Sequence, residues 1–506
     1  MHLHPEDTLT AEALARGKQA LVRDAAWASM TGALSGGVVL VALALELGAG
    51  PMAIGVLGAI PFIAQAAQLP AIALVEKVRQ RKRIGVWTLL VARLMIGMLA
   101  VLPLLPLGGA RLHLLIVAQA VIALMGSAAA CAINSWLHQL LPPDNLGVFF
   151  ARRLFWATGT ACVGTLAAGL LVQNAPGGDR LLAFGIAFAG AGLAGLISTA
   201  YLARCPEPRM ESGGPPVRLF TQLKLPFADR NFRALLRTLG AWNVASNLVA
   251  PFLAMYLIQQ LGYPLGTVTA LWVTSQVANA ATLLAWGRVS DRLSNISILR
   301  VALPLYFLCT LGLVFVPAGE RDAVQFGTLV LLHVLMGAAG GGIGLATGNL
   351  GLKLAPRARG TAYLAAIGLV GAVCGGVAPL IGGALAQAFS ERQLSVLVRW
   401  VSPLSTAEVS VLNFAHWEFL FLISALLGLY VLHAMTRIQE GDPLTKYSDR
   451  HVIQELGLEA WRTVNQVSTI GGLLGSLFPF DRLSERRRNA RGPRPAQPAP
   501  QAQPPP

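Results

Sequence analysis

The apolar positions of the chain gather into twelve long runs separated by short polar blocks: 25–47, 52–74, 84–107, 112–138, 150–173, 180–202, 236–260, 266–287, 296–317, 324–350, 360–388 and 415–435. Each run is at least about 20 residues long, the length of helix that crosses ~30 Å of hydrocarbon at 1.5 Å per residue. The first run lacks a small-residue cleavage site and is followed directly by further runs, so it is expected to be retained rather than removed as a leader. The pattern predicts an all-α integral membrane protein with 12 transmembrane helices.

Charge gives that bundle an orientation. Of the 39 Lys and Arg residues, all but Arg93 and the five at Arg111, Arg180, Arg321, Arg392 and Arg399 fall at one set of helix ends. By the positive-inside rule this places both termini in the cytosol and the chain, multi-pass, in the cytoplasmic membrane. The net charge of +15 is thereby accounted for, and no nucleic-acid partner is needed. Only 12% of residues are charged and 55% are hydrophobic, against about 25% charged in soluble domains, which excludes a cytosolic enzyme or a secreted scaffold. The five cysteines are scattered without CxxC spacing, so neither a disulfide framework nor a metal site is expected.

The two halves resemble each other at an offset of about 214 residues, as a tandem duplication would. Leu47-Gly48 matches Leu261-Gly262, Gln65 matches Asn279, Leu140 and Pro142 match Leu354 and Pro356, Gly169 matches Gly383, and Trp27 matches Trp242 with one residue of slip. The expected divisions are a cytosolic N-terminus at 1–24, a six-helix bundle at 25–203, a cytosolic linker at 204–235, a second bundle at 236–435 and a cytosolic tail at 436–506. The linker carries Pro206, Pro208, Gly213, Gly214, Pro215 and Pro216, a composition that suits a flexible tether. Small-residue runs at Gly337 to Gly344 and at Gly371, Gly375 and Gly376 serve either close helix packing or a gating hinge.

The loop Gly287-Arg288-Val289-Ser290-Asp291-Arg292 resembles the G-x-x-x-D-R motif of the major facilitator superfamily, and it falls between spans 8 and 9 as that family requires. The loop after span 2, with Glu76, Lys77 and Arg79 ahead of Arg81-Lys82-Arg83, looks like a degenerate copy. The resemblance covers about 25–440 and implies two pseudo-symmetric six-helix bundles around a central cavity. It also implies cytosolic latches, Asp291 against the start of span 5 near Arg152 and Arg153, and Glu76 against the start of span 11 near Arg359. Carried onto this chain, the cavity-lining spans select Trp27, Thr31, Gln65, Gln68, Asn134, His138, Trp242, Asn243, Asn247, Gln276, Asn279, His333 and Asn349. Amides buried in a bilayer must bond to one another or to a ligand.

No HExxH, Gly-Lys-Ser/Thr phosphate loop or GxSxG is present, so no catalytic residue, cofactor or metal is expected. No carboxylate falls at the middle of a run. Asp24 sits at the expected cytosolic start of span 1 and Glu46 near its outer end, and both are candidates for coupling to a proton. Arg93 lies about 15 Å beyond Arg83 along the helix, near the midplane, and is expected to meet Gln65, Gln68 or an anionic ligand. The connector from Ser390 to Ala415 reads as a short interfacial helix or a lid. Residues 450–477 read as an amphipathic helix on the inner leaflet, followed by a disordered Pro-rich end. The whole predicts a monomeric, gradient-driven transporter of a small solute in contact with membrane lipids. The alternatives are an uncoupled uniporter, or a non-transporting assembly protein that acts through its tail.

Overall fold

In a computed structural model, the described residues are 5, 10–141, 146–210, 223–292, 294–316, 322–356, 360–401, 406–415 and 417–440. Among them are 12 helices long and apolar enough to cross a membrane. Spans 1 to 6 are Ala11–Glu46, Pro51–Val78, Arg81–Leu104, Ala110–Leu140, Phe149–Gln173 and Arg180–Ala203; spans 7 to 12 are Arg230–Gln260, Leu265–Ser290, Asn295–Phe315, Ala323–Leu354, Ala362–Phe389 and Glu418–Met435. Polar side chains start several of them. Thr10, Asp179, Asp229, Ser294 and Asp322 each accept a backbone N–H of the first turn, at 2.6–3.2 Å, a contribution of about 1 kcal/mol per cap.

The duplication seen in the sequence has a conformational counterpart. Gly48 and Gly262, the matched glycines between spans 1 and 2 and between spans 7 and 8, both turn the chain at positive φ, 85° and 65°, which a side chain would resist. Spans 1, 5 and 6 pack together in the first half, and spans 8, 9 and 10 in the second. The halves meet chiefly through span 2 against span 11 and span 5 against span 8.

Small residues set those seams. A Cβ at Gly55 would collide with the Pro379 carbonyl, and one at Gly383 would lie 2.9 Å from the Pro51 carbonyl. Gly169 faces Thr269, and Gly266 faces Gln173. Of the small-residue runs, Gly337 lies on the backbone of Ser275, Gly342 on Trp286, and Gly375 and Gly376 on Phe62 and Ile63, whereas Gly344 and Gly371 face open space. Close helix approach therefore accounts for the first four.

Three expectations are corrected. The connector after span 11 is not the short interfacial helix but an antiparallel hairpin, β1 at Gln393–Val401 and β2 at Thr406–Ala415, with a bulge where Val396 and Leu397 meet β2. Leu394, Val396, Val398 and Trp400 alternate with Ser395, Leu397 and Arg399, a period of two that suits a strand better than a helix. Span 1 begins at Ala11, so Asp24 lies well inside it rather than at its start. The beginning of the linker is not a loose tether: Trp136 Nε1 donates to the Pro206 carbonyl at 2.9 Å and Arg81 Nη2 to that of Pro208 at 2.8 Å. The amphipathic segment 450–477 and the Pro-rich end lie outside the described residues.

Candidate functional site

The first span of each half is broken at an equivalent level. Span 1 stops at Ser35, passes through Gly36 in an extended conformation and restarts at Gly37, whose φ is 52°. Span 7 stops at Asn247 and restarts at Ala250–Met255, followed by a π-turn at Tyr256–Gln260. With the offset of about 214, the Gly36–Gly37 break falls on Ala250–Pro251. Local bonds keep both breaks satisfied: Gly36 N–H donates to Gly32 O at 2.8 Å, and Val249 O accepts from Phe252 and Leu253. Irregular backbone at membrane depth is tolerated only where it is so satisfied or lines a cavity.

The span 1 break does line a cavity, of about 350 Å³. Ser29, Gly32, Gly36 and Gly37 form one wall, Thr158, Cys162 and Thr165 of span 5 a second, and Trp272, Val273 and Gln276 of span 8 the third. A second cavity of about 450 Å³ adjoins it along the groove between spans 1 and 5, sharing Ser29, Leu154 and Ala157 and adding Ala25, Ala28, Phe150 and Arg153. The groove therefore runs from the helix ends that bear the termini to a chamber between the two halves. Beyond that chamber the seams close: Gly169 on Thr269, Gln173 on Gly266, Gly58 on Pro251 and Gly383 on Pro51 all lie towards the other ends of their helices.

Beside the groove a buried carboxylate lies within reach of two half-buried arginines. Ser198 donates to Asp24 Oδ1 at 2.7 Å, and Asp24 is 7% exposed. The charges of Arg153 and Arg93 both reach this carboxylate. Arg93 lies across span 6, where its side chain occupies the space a Cβ at Gly195 would need. Its expected partners Gln65 and Gln68 are on an exposed face of span 2, so depth along span 3 was legible but direction was not. Glu46 forms an exposed ion pair with Arg180 at 3.0 Å at the far end.

Of the residues selected for the cavity, Gln276 alone lines it. Trp27, Asn134 and His138 are exposed, and the Thr31 hydroxyl donates to Trp27 O at 3.0 Å. Trp242 packs edge-on against Tyr306 within its own half, and Asn243 and Asn247 each bond back one helical turn. Asn279 lies half-buried beside Gly340 and Gly341, and His333 is buried with Nδ1 on the Leu329 carbonyl and Nε2 without a hydrogen-bond partner. Asn349 belongs to a polar cluster at the terminal end, where Nδ2 donates to Ser290 and Asn295 at 3.1 Å. Of the latch residues, Arg359 and the side chains of Asp291 and Arg292 lie outside what is described, while Glu76, Arg79, Arg152 and Arg288 are exposed and Gly287 borders open space. The missed wall had a signal: Thr158, Cys162 and Thr165 fall at i, i+4 and i+7, one face of span 5.

Two six-helix halves, a duplicated turn and a chamber at the broken first helices define a polytopic transporter scaffold. The profile of the Major Facilitator Superfamily matches residues 25–379, and the chain belongs to that superfamily. Similar solved structures include a variant of the nucleoside transporter NupG (TM-score 0.63, 13% identity, covering 83% of this chain and 98% of that one). A bacterial homologue of the human lysosomal transporter Spinster, inward-facing and unoccupied, gives a TM-score of 0.54 at 15% identity, over 90% and 98% of the two chains. A bacterial metal transporter gives 0.55 at 14% identity, over 85% and 99%. At these identities the likeness is one of fold. No curated protein sequence matches the chain. The chain is a multi-pass membrane transporter.

Proposed function

We propose that this transporter moves a small solute by alternating access across the cytoplasmic membrane, with both termini in the cytosol, and that the structure is its inward-facing state. The observation that carries this reading is the chamber between the halves, sealed towards the ends away from the termini and continued towards the termini by the groove of spans 1 and 5. Transport is gradient-driven. Asp24 is the coupling residue in this reading, because a carboxylate inside the bundle is where protonation changes the cost of moving a helix.

Paired spin labels test the motion. One pair at positions 152 and 288 reports the terminal ends of spans 5 and 8, and one at 174 and 264 reports the opposite ends. In lipid, both pairs should show two distances whose populations change reciprocally, and Gly55→Leu should shift them towards the state open away from the termini, because the new side chain cannot lie on Pro379. Asp24→Asn should remove the pH dependence of those populations. A single fixed distance at both ends under all conditions overturns alternating access. Truncation after 440 should leave the populations unchanged, whereas an assembly protein acting through its tail would lose its function.

A further inference from the structure

The groove has one feature that a neutral solute would leave unexplained. Its walls between spans 1 and 5 are apolar, built from Ala25, Ala28, Phe150, Leu154 and Ala157. Arg153 is the one charged side chain among the described residues that line either cavity. Its Nε is buried and meets no hydrogen-bond acceptor, and the same holds for Arg93 Nε behind it. Asp24, already held by Ser198, is a carboxylate whose charge both arginines feel. Two guanidinium groups against one carboxylate leave surplus positive charge whichever protonation state Asp24 takes. Arginine does not shed its proton to relieve that surplus, and each of these half-buried guanidinium groups keeps a buried Nε–H with no acceptor. A carboxylate, sulfonate or phosphate supplies the missing acceptor, with the planar fork of the guanidinium matched to two of its oxygens.

We infer that the solute is an organic anion, its acidic group on Arg153 and its apolar body along the Ala28, Phe150 and Leu154 wall, reaching towards Ser29 and Gln276. This rests on the transport reading above and adds the substrate class to it. The two adjoining cavities, about 450 and 350 Å³, are in the range of sites for small organic molecules. An anionic lipid headgroup offers the same chemistry, and the two sources separate by experiment.

The test uses the full chain in phosphatidylcholine nanodiscs, with melting followed against benzoate and phenyl phosphate and against their uncharged and cationic counterparts, benzamide and benzylamine. The anions should raise the melting temperature by roughly 1–3 °C at tenfold over their dissociation constants, and the counterparts should not. Arg153→Gln should abolish the shift, Arg153→Lys should retain part of it, and Arg23→Gln, an exposed change outside the groove, should leave it intact. If Arg153→Gln melts early without ligand, the lysine variant and the matched ligand pairs still decide. Equal shifts with benzamide, persistence of the anion shift in Arg153→Gln, or no shift with either anion overturns the proposal. So does stabilisation of the ligand-free protein by added phosphatidylglycerol that depends on Arg153 and removes the anion shift, because a lipid then holds the arginine. A neutral solute that stabilises through Gln276 would leave alternating access standing, and fixed spin-label distances with an intact anion shift would leave the anion site standing without transport.

Discussion

Glu207 and Glu440 occupy related places in the two halves and face opposite electrostatic fates. Each follows the last span of its half and turns back onto the start of that half's third span, Arg81 in one case and Asn295 in the other, positions separated by the same offset of about 214. Glu207 Oε1 accepts from the backbone N–H of Arg81 at 2.7 Å and pairs with Arg81 Nε at 3.5 Å, while Oε2 is left without a partner. Both side chains are essentially out of water, at 0% and 1% exposure. Glu440 uses both oxygens: Oε1 accepts from Asn295 N, Asn295 Nδ2 and Lys353 Nζ, and Oε2 from Ile296 N at 2.9 Å. Burial pushes the Glu207 carboxyl above its ordinary value despite the pull of the Lys82 and Arg81 backbone. Burial pushes Glu440 upward too, but donation from Ile296, Asn295 and Lys353 outweighs it and holds the carboxyl below its ordinary value. For Glu207 burial outweighs the donors, and for Glu440 the donors outweigh burial.

Deleting each carboxylate breaks the comparison most directly. Glu207→Ala strands the buried Arg81 guanidinium, which among the described residues retains the Ser135 and Pro208 carbonyls, and should destabilise the first half by about 3–5 kcal/mol. Glu440→Ala removes acceptors from a helix start that water can partly reach, and should cost about 2 kcal/mol. Thermal melting of the two variants checks the order; equal losses would mean that the orphaned oxygen and deeper burial of Glu207 have no energetic consequence.

The pH dependence sharpens it further, because the signs oppose. The folded state binds the Glu207 proton more tightly than the unfolded chain does, so stability from this group is present below the ordinary value of 4.5 and is lost as pH rises from there through the raised pKa. For Glu440 the stability is present above the ordinary value and is lost as pH falls through the depressed pKa. Relative to wild type, Glu207→Gln should therefore remove a decline in melting temperature on the alkaline side of 4.5, and Glu440→Gln should remove a decline on the acid side. Melting curves across that range check both; parallel profiles for the two variants would contradict the opposed signs.

These clasps also show what a sequence gives up easily. Span count, the halves and the turn glycines were legible because apolar length and an internal offset are properties of the chain itself. The role of Glu207 was not, because Pro206 and Pro208 read as linker punctuation and nothing in their order says that Trp136 and Arg81 hold their carbonyls. Asp24 falls deeper in the helix of span 1 than expected because Arg16, Lys18 and Arg23 interrupt the apolar pattern of its first turns, although Ala20 and Leu21 are buried there. That the described cavities take Gln276 alone from the expected set has a related reason. Periodicity assigns a residue to a depth, whereas lining is a matter of azimuth, and at the Gly36–Gly37 break the helix no longer carries azimuth from one half of the span to the other.

The smallest effect isolates the cation from the rest of the second clasp. Lys353 Nζ lies 3.1 Å from Glu440 Oε1, but the lysine side chain is 55% exposed, so water and salt screen the pair and its net worth is about 0–1 kcal/mol. Lys353→Gln should lower the melting temperature slightly at low ionic strength and not at all at high salt. Asn295 and Ile296 would still serve both Glu440 oxygens, so the acid-side decline should persist in this variant. If Lys353→Gln instead erased that decline, the exposed cation rather than the buried helix start would be what holds Glu440 ionised, and the contrast with Glu207 would reduce to which carboxylate has the better-placed charge beside it.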